Sequence, residues 1–282
     1  MHCQFLPGPQ PLVPPSQKDL LHIIGRSLDA DVVGVQEVDF NQERSGGHSQ
    51  VEVIAEEMGA PYWAYARTVI GTPGSIWRKL QPNEPNIQTN DEDSGEKLNH
   101  DTFIQDPSYG IGLISRVKVI NWHTLSLGKS PIGLPLAFPA DAAKGQKGVR
   151  LIYVKDEPRI ALAAQLENGF TVAVTHLSFV PFVNFYQLRK VQRWLAKLPG
   201  KHILLGDLNL PFNLPSRFSN WKSLSIQKTY PSWDPKVQFD YILSDSLTAS
   251  EVTQVNPPEK FSADQPNLLI SDHRSLSINI QA

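Results

Sequence analysis

Strands joined by a tight turn and strands joined by a helix occur together in this chain. That combination predicts packed β-sheets flanked by helices and excludes a purely doubly wound parallel sheet. Two stretches carry the reading. Residues 160–166 and Phe170–Thr175 are apolar, β-prone runs separated by Glu167-Asn168-Gly169, and Asn-Gly supplies the positive φ angles of an antiparallel turn. Immediately afterwards Phe185, Leu188, Val191, Leu195 and Leu198 recur at helical spacing up to Pro199-Gly200, and 202–205 reads as the next strand. With 282 residues, 40% hydrophobic and 19% charged, the sequence predicts one α/β domain spanning 1–282 with a large core.

The remaining elements follow in order. A Pro-rich start (1–15) gives way to a helix carried by Leu20, Leu21, Ile23, Ile24 and Leu28. Residues 31–37 (DVVGVQE) form a β-branched run ending on Glu37. Ser49 with Glu52 three residues on is a capping box, Val51, Ile54, Ala55 and Met58 make one stripe, and Gly59 stands where a helix-ending glycine belongs. Residues 71–108 are expected to be a surface insertion, because seven acids and one lysine fall between 83 and 106 among scattered Pro, Asn and Gly. Strand patterning resumes at 110–115, lapses over 126–148, and returns at 239–243 and 276–280.

Composition excludes several classes. A formal charge of −2 gives no general attraction to nucleic acid or anionic lipid, so nucleic-acid binding is not favoured and requires a local site. Cys3, the single cysteine, excludes an internal disulfide and a cysteine-based zinc cluster. No run approaches the length of a membrane span, and the Pro-rich start has no signal-peptide core. The sequence therefore predicts a cytoplasmic monomer.

Polar residues gather where the expected strands end. Glu37 closes the first, His176 follows Phe170–Thr175, Asp207 and Asn209 follow 202–205, Asp240 lies in 239–243, and Asp272-His273 opens the last. Carboxylates with a carboxamide suit a hard cation such as Mg²⁺ or Mn²⁺, and histidines beside them supply acid–base chemistry. Taken singly, each has a plainer reading: Asp207 and Asn209 shape a turn, Glu37 caps a loop, His176 is a satisfied half-buried histidine.

Taken in order, VGVQEVD (33–39), YGIGLISR (109–116), EPRIAL (157–162), VTHLS (174–178), LLGDLN (204–209), FDYIL (239–243) and ISDHRSL (270–276) resemble the successive motifs of the endonuclease/exonuclease/phosphatase superfamily. This is the fold shared by DNase I, exonuclease III-type repair nucleases, neutral sphingomyelinases and inositol polyphosphate 5-phosphatases. The resemblance implies a four-layered α/β sandwich, two mixed β-sheets face to face with helices outside. It also implies phosphoester hydrolysis with Mg²⁺ or Mn²⁺. By motif, Glu37 is the main metal ligand and Asp272 lies on the other side of that region. Asp207 and Asn209 align the attacking water and hold a phosphate oxygen. His273, oriented by Asp240, is the general base or transition-state partner, and His176 contacts the phosphate or leaving group. Arg159 is a phosphate-binding or structural arginine.

One departure stands out. The family opens with a strand carrying an asparagine upstream of the glutamate, yet no asparagine precedes Asn41 here. The first strand is therefore expected to be missing, and a catalytically impaired, phosphoester-binding relative is the alternative to a working phosphodiesterase, phosphatase or nuclease. Substrate identity stays open. Tyr230 and Trp233 read as mixed core and mouth residues, and Phe179, Phe182, Phe185 and Tyr186 as a hydrophobic cluster at a helix entry.

Overall fold

A computed structural model describes residues 17–90, 104–139, 149–232, 234–255 and 271–280. The Pro-rich start and Trp233 lie outside them. Helix α1 (Gln17–Ser27), strand β1 (Val32–Phe40) and helix α2 (Gln50–Met58) come first. The Ser49 hydroxyl caps α2 by accepting the Glu52 amide at 3.3 Å, and Gly59 ends it at φ 61°. The helix stripes, Leu21 and Ile24 with Val51, Ile54 and Met58, bury against Val33, Val35, Tyr65 and Ile114.

Those last four side chains belong to one face of the first sheet. It is built from β1, β2 (Tyr62–Gly71), β3 (Trp77–Lys79), β4 (Ile87–Thr89) and β5 (Ser108–Ser115). The order is β1–β5–β2–β3, with β4 also on β2, and every pairing is antiparallel. The expected mixed character therefore belongs to one sheet only.

The second sheet takes β6 (Val119–Gly128), β9 (Arg159–Leu166), β10 (Phe170–Thr175), β11 (Lys201–Asp207), β12 (Lys222–Ser223) and β13 (Asp240–Ser244), in the order β12–β13–β11–β10–β9–β6. The turn at Asn168-Gly169 joins β9 and β10 as an antiparallel pair, but with Gly169 alone at positive φ, 85°, and not Asn168. Helix α3 (Val183–Leu195) then carries the chain back so that β11 runs parallel to β10. Its buried stripe of Leu188, Val191 and Leu195 covers Ala161, Ala163, Ala173 and Leu204. Strands β7 (Leu134–Pro139) and β8 (Val149–Val154) form a separate ribbon, as do β14 (Val252–Val255) and β15 (Ser277–Ile280); α4 (Leu214–Arg217) is a single turn.

Ala64, Ala66, Ile111 and Leu113 of the first sheet meet Leu162, Ala164, Val172, Val174, Ile203 and Ile242 of the second in one buried cluster. The layers are thus α1 and α2, first sheet, second sheet, α3: the four-layered sandwich. Among the described residues no helix is long and apolar enough to cross a membrane.

Three expectations change. The first strand does not stop at Glu37 but continues to Phe40. The stretch 71–108 is not merely a surface insertion in its described parts: β3 and β4 extend the first sheet, Thr89 is buried, and Ile104 is 3% exposed within the core beneath α2. Acidity concentrated at 91–103, outside the described residues, masked the weaker strand signal on either side. Within 126–148, likewise, β7 escaped notice because Pro135 and Pro139 interrupt its period.

Ile104→Ala should therefore behave as a core truncation, costing about 2–5 kcal/mol. Thermal unfolding should show a drop of roughly 5–15 °C. A change of less than about 1 °C would mean that the residue contributes no core packing.

Candidate functional site

Parallel pairing of β10 and β11 sends the loops that follow them off the same edge of the second sheet. Gly206 lets them touch: at φ 140°, a Cβ there would meet the Thr175 carbonyl oxygen at 1.9 Å. The Leu177 amide donates to the Asp207 carbonyl at 2.9 Å, and Asn209 Nδ2 donates to the Leu177 carbonyl at 2.9 Å. Asp207 Oδ1 accepts the Asn209 amide at 2.8 Å, an Asx turn that holds Asn209 at φ 50°. Asn184 of α3 closes the arrangement, its Nδ2 donating to the Asn209 carbonyl at 2.9 Å.

His176 sits at the junction. Its Nδ1 lies 3.0 Å from Arg159 Nη1 and 3.7 Å from Glu37 Oε1, and its Nε2 lies 3.7 Å from Asp207 Oδ2 and 3.3 Å from Asn209 Nδ2. A guanidinium has only donors, so Nδ1 accepts from Arg159, while Nε2 stands between the Asn209 amide nitrogen and the Asp207 carboxylate. Arg159, 5% exposed, also lies 3.3 Å from Glu157 Oε1 and 3.7 Å from Asp156 Oδ1. Burial, opposed by Arg159 and reinforced by the Glu37 carboxylate, raises the Glu157 pKa. Asp156 accepts from Ser178 Oγ at 2.9 Å, tying this loop to the His176 loop.

Glu37 arrives from the other sheet. Pairing of β1 with β5 slips between Gln36 and Val38, leaving Glu37 as a bulge at φ 54°. A bulge re-aims one side chain, and a non-glycine residue held there costs about 1–3 kcal/mol. Glu37 is thus at a mid-strand kink, where no strand-end pattern marks it.

Asp240 begins β13 directly opposite Asp207 in the register. His273 Nδ1 lies 2.7 Å from Asp240 Oδ2, and Tyr230 packs on the His273 ring at 4.9 Å between centroids. The segment bearing His273 is a loop docked on residues 229–232, four residues before β15, not the opening of that strand. Ser232 donates its amide to the Asp272 carbonyl at 2.7 Å and its hydroxyl to the Ser271 carbonyl at 2.6 Å, while the Arg274 amide donates to the Thr229 carbonyl at 2.8 Å. Burial, then the neighbouring Asp272 and Asp207 carboxylates, raise the Tyr230 pKa.

All the residues expected from sequence therefore fall on one edge, in two groups: Glu37, Arg159, His176 and Asn209, and Asp207, Asp240, Asp272 and His273. Ligand atoms of Asp207, Asp240 and His273 lie within 4.8 Å of one another. Asp272 Oδ1 is buried with no hydrogen-bond partner among the described residues. An orphaned carboxylate oxygen beside such a group is the donor chemistry a hard cation takes, so the residues fit a divalent ion. Sequence reasoning missed Glu157 and Asp156, although the first lies inside a quoted motif, and Arg44, which pairs with Asp39 at 2.6 Å.

Two face-to-face sheets carrying carboxylates, a carboxamide and two histidines along one edge define an α/β sandwich of the DNase I-like class. The chain belongs to the endonuclease/exonuclease/phosphatase family, whose model matches residues 4–273. Among solved structures it is similar to a family protein from Leptotrichia buccalis C-1013-b, with TM-score 0.51, 15% identity and 94% of each chain covered. A Beutenbergia cavernae DSM 12333 family structure follows at TM-score 0.50 and 17% identity, covering 95% of this chain and 67% of that one. No curated protein sequence matches the chain.

Gly206→Ala should cost at least about 2 kcal/mol, because it combines an unfavourable φ with a backbone clash. A variant that unfolds within about 1 °C of the parent would show that the two loops are not pressed together there.

Proposed function

We propose that the protein hydrolyses phosphoester bonds with Mg²⁺ or Mn²⁺. The observation that carries the reading is the 2.7 Å His273–Asp240 pair beside Asp207. Asp240 accepts a hydrogen bond from Nδ1–H of His273, which orients the ring and stabilises the imidazolium formed when Nε2 accepts a proton from water. Asp207 and Asn209, rigidly cross-linked through Leu177, align that water and a phosphate oxygen. His176, held between Arg159 and Asn209, contacts the phosphate or the leaving oxygen. Arg159 is spent on His176 and Glu157, so it acts as a positioning residue more than as a phosphate ligand. Glu37 and Asp272 would hold the cation. When bound, that ion supplies positive charge against the charge gathering on the phosphoryl oxygens.

A second reading, a phosphoester-binding relative with impaired catalysis, is favoured by one feature. Strand β1 is at the edge of its sheet, and among the described residues no asparagine-bearing strand stands beside it. An activity screen over aryl phosphodiesters and monoesters with Mg²⁺ or Mn²⁺ separates the two; binding without turnover would support the second.

Glu37→Gln should lose metal affinity by tenfold or more in calorimetry, and unchanged affinity would remove Glu37 from the metal site. Asp240→Asn should lower kcat far more than it shifts KM, and Asp240→Asn with His273→Ala should be scarcely worse than His273→Ala alone. Multiplying losses would show that the two residues act independently.

A further inference from the structure

The cluster expected to pack at the entry of α3 does so only in part. Phe185 is half-buried against the edge of Phe218, with ring centroids 5.8 Å apart, but Phe182 is 88% exposed and Tyr186 64% exposed. Phe182 is also held at φ 67°. Positive φ in a bulky residue costs about 1–3 kcal/mol, and an exposed ring returns no burial energy to offset it. Its place explains more: it lies at the catalytic edge, on the loop that carries His176.

From that point one face of α3 (Val183–Leu195), with Phe182 at its N-cap and Lys197 in the turn just after it, stays in solvent. Phe182, Tyr186, Arg189, Arg193 and Lys197 are all exposed, at spacings of four, three, four and four residues. Such spacing lines them up on one side of a helix. The aromatics are at the site end and the cations follow, Arg193 lying about 16 Å along the axis from Phe182 at 1.5 Å per residue. Among the described residues no carboxylate lies within 4 Å of these three cations. Residues 177–222 hold seven Lys and Arg against one acid, Asp207, which belongs to the site. Strand β6, the neighbour of α3, has no acid either. The chain's charge of −2 conceals this local excess.

We propose that this face of α3 is a track for a single-stranded polynucleotide. Bases stack on Phe182 and Tyr186 while the trailing phosphates run past Arg189, Arg193 and Lys197. Aromatic faces with a line of cations are the general chemistry of single-strand binding. An anionic bilayer fits less well. Because α3 runs antiparallel to β10 and β11, its cations descend the flank of the sandwich. A flat surface resting on the catalytic edge would not reach them, whereas a flexible chain can turn the corner. The proposal deepens the hydrolase reading by naming a substrate class, and rests on that reading only for what happens where the track ends.

The test measures binding of a fluorescein-labelled 12-mer oligothymidylate to the full chain in EDTA, across a salt series. Replacing Arg189, Arg193 and Lys197 together by Ala should weaken binding at least tenfold. It should also reduce the slope of log K against log salt by about 2, since each phosphate contact on a single strand contributes about 0.7. Hydrolysis of a small aryl phosphodiester should not change in that variant. Phe182→Gly, which relieves the positive φ, should leave the melting temperature equal or higher while weakening binding roughly fivefold or more. Unchanged affinity and slope in the triple variant would overturn the proposal. So would a failure to bind the oligonucleotide at low salt while phosphatidylserine vesicles capture the protein through the same three residues. If the oligonucleotide binds as expected but the aryl diester is not cleaved with any metal, the track stands and the hydrolase reading falls.

Discussion

Everything at the edge that gathers these polar residues depends on how closely the two sheets approach. Glu37 is on one sheet, while His176, Asp207 and Asp240 are on the other, so their separation is set by the side chains between. Those are small where it matters: Ala64 and Ala66 face Ala164, and a Cβ on Gly34 would meet Val174 Cγ2 at 2.9 Å. Gly34 stands three residues before Glu37 on the same strand. Any added bulk there would push the Glu37 carboxylate away from His176, because packed interiors transmit strain and do not absorb it.

Close approach creates an electrostatic problem that the donors and acceptors partly solve. Glu37, Glu157, Asp207, Asp240 and Asp272 converge on a largely desolvated edge, and like charges there repel strongly. Arg159 offsets Glu157, Asp156 and Glu37 at one end, and Arg44 grips Asp39 beside it. Asp240 is matched by His273. A divalent cation bound among these carboxylates would relieve the rest. The same carboxylates explain why Tyr230 is hard to ionise: it is walled in by burial and by Asp272 and Asp207.

The surface shows the opposite arrangement, with cations collected where acids are absent. Net charge sums over the chain and loses position, so a −2 protein can still carry a cationic stripe one helix long. Helical periodicity converts a scattered run of Arg and Lys into a line, and the crossover between parallel strands aims that line at the site.

Much was legible in the amino acids themselves. Gly169, at φ 85°, lets the chain turn between β9 and β10, an angle few other residues accept; Ser49 and Gly59 bounded α2 by capping chemistry; and the ordered motifs picked out the residues that meet at the edge. Local chemistry sufficed for these because each is decided within a few residues. What lay beyond it was long-range. Glu37 as a bulge depends on the register with β5, which no local pattern reveals. Glu157 joins the site because β9 stands beside β10, and Ile104 enters the core because the first sheet and α2 close over it. Phe182 and Tyr186 read as part of a hydrophobic cluster at a helix entry, yet stay in solvent because the buried stripe of α3 is used up on Leu188, Val191 and Leu195. Sequence alone determined which residues could do the chemistry; tertiary structure decided which of them meet, because meeting depends on the spacing and register of two sheets packed through a common core.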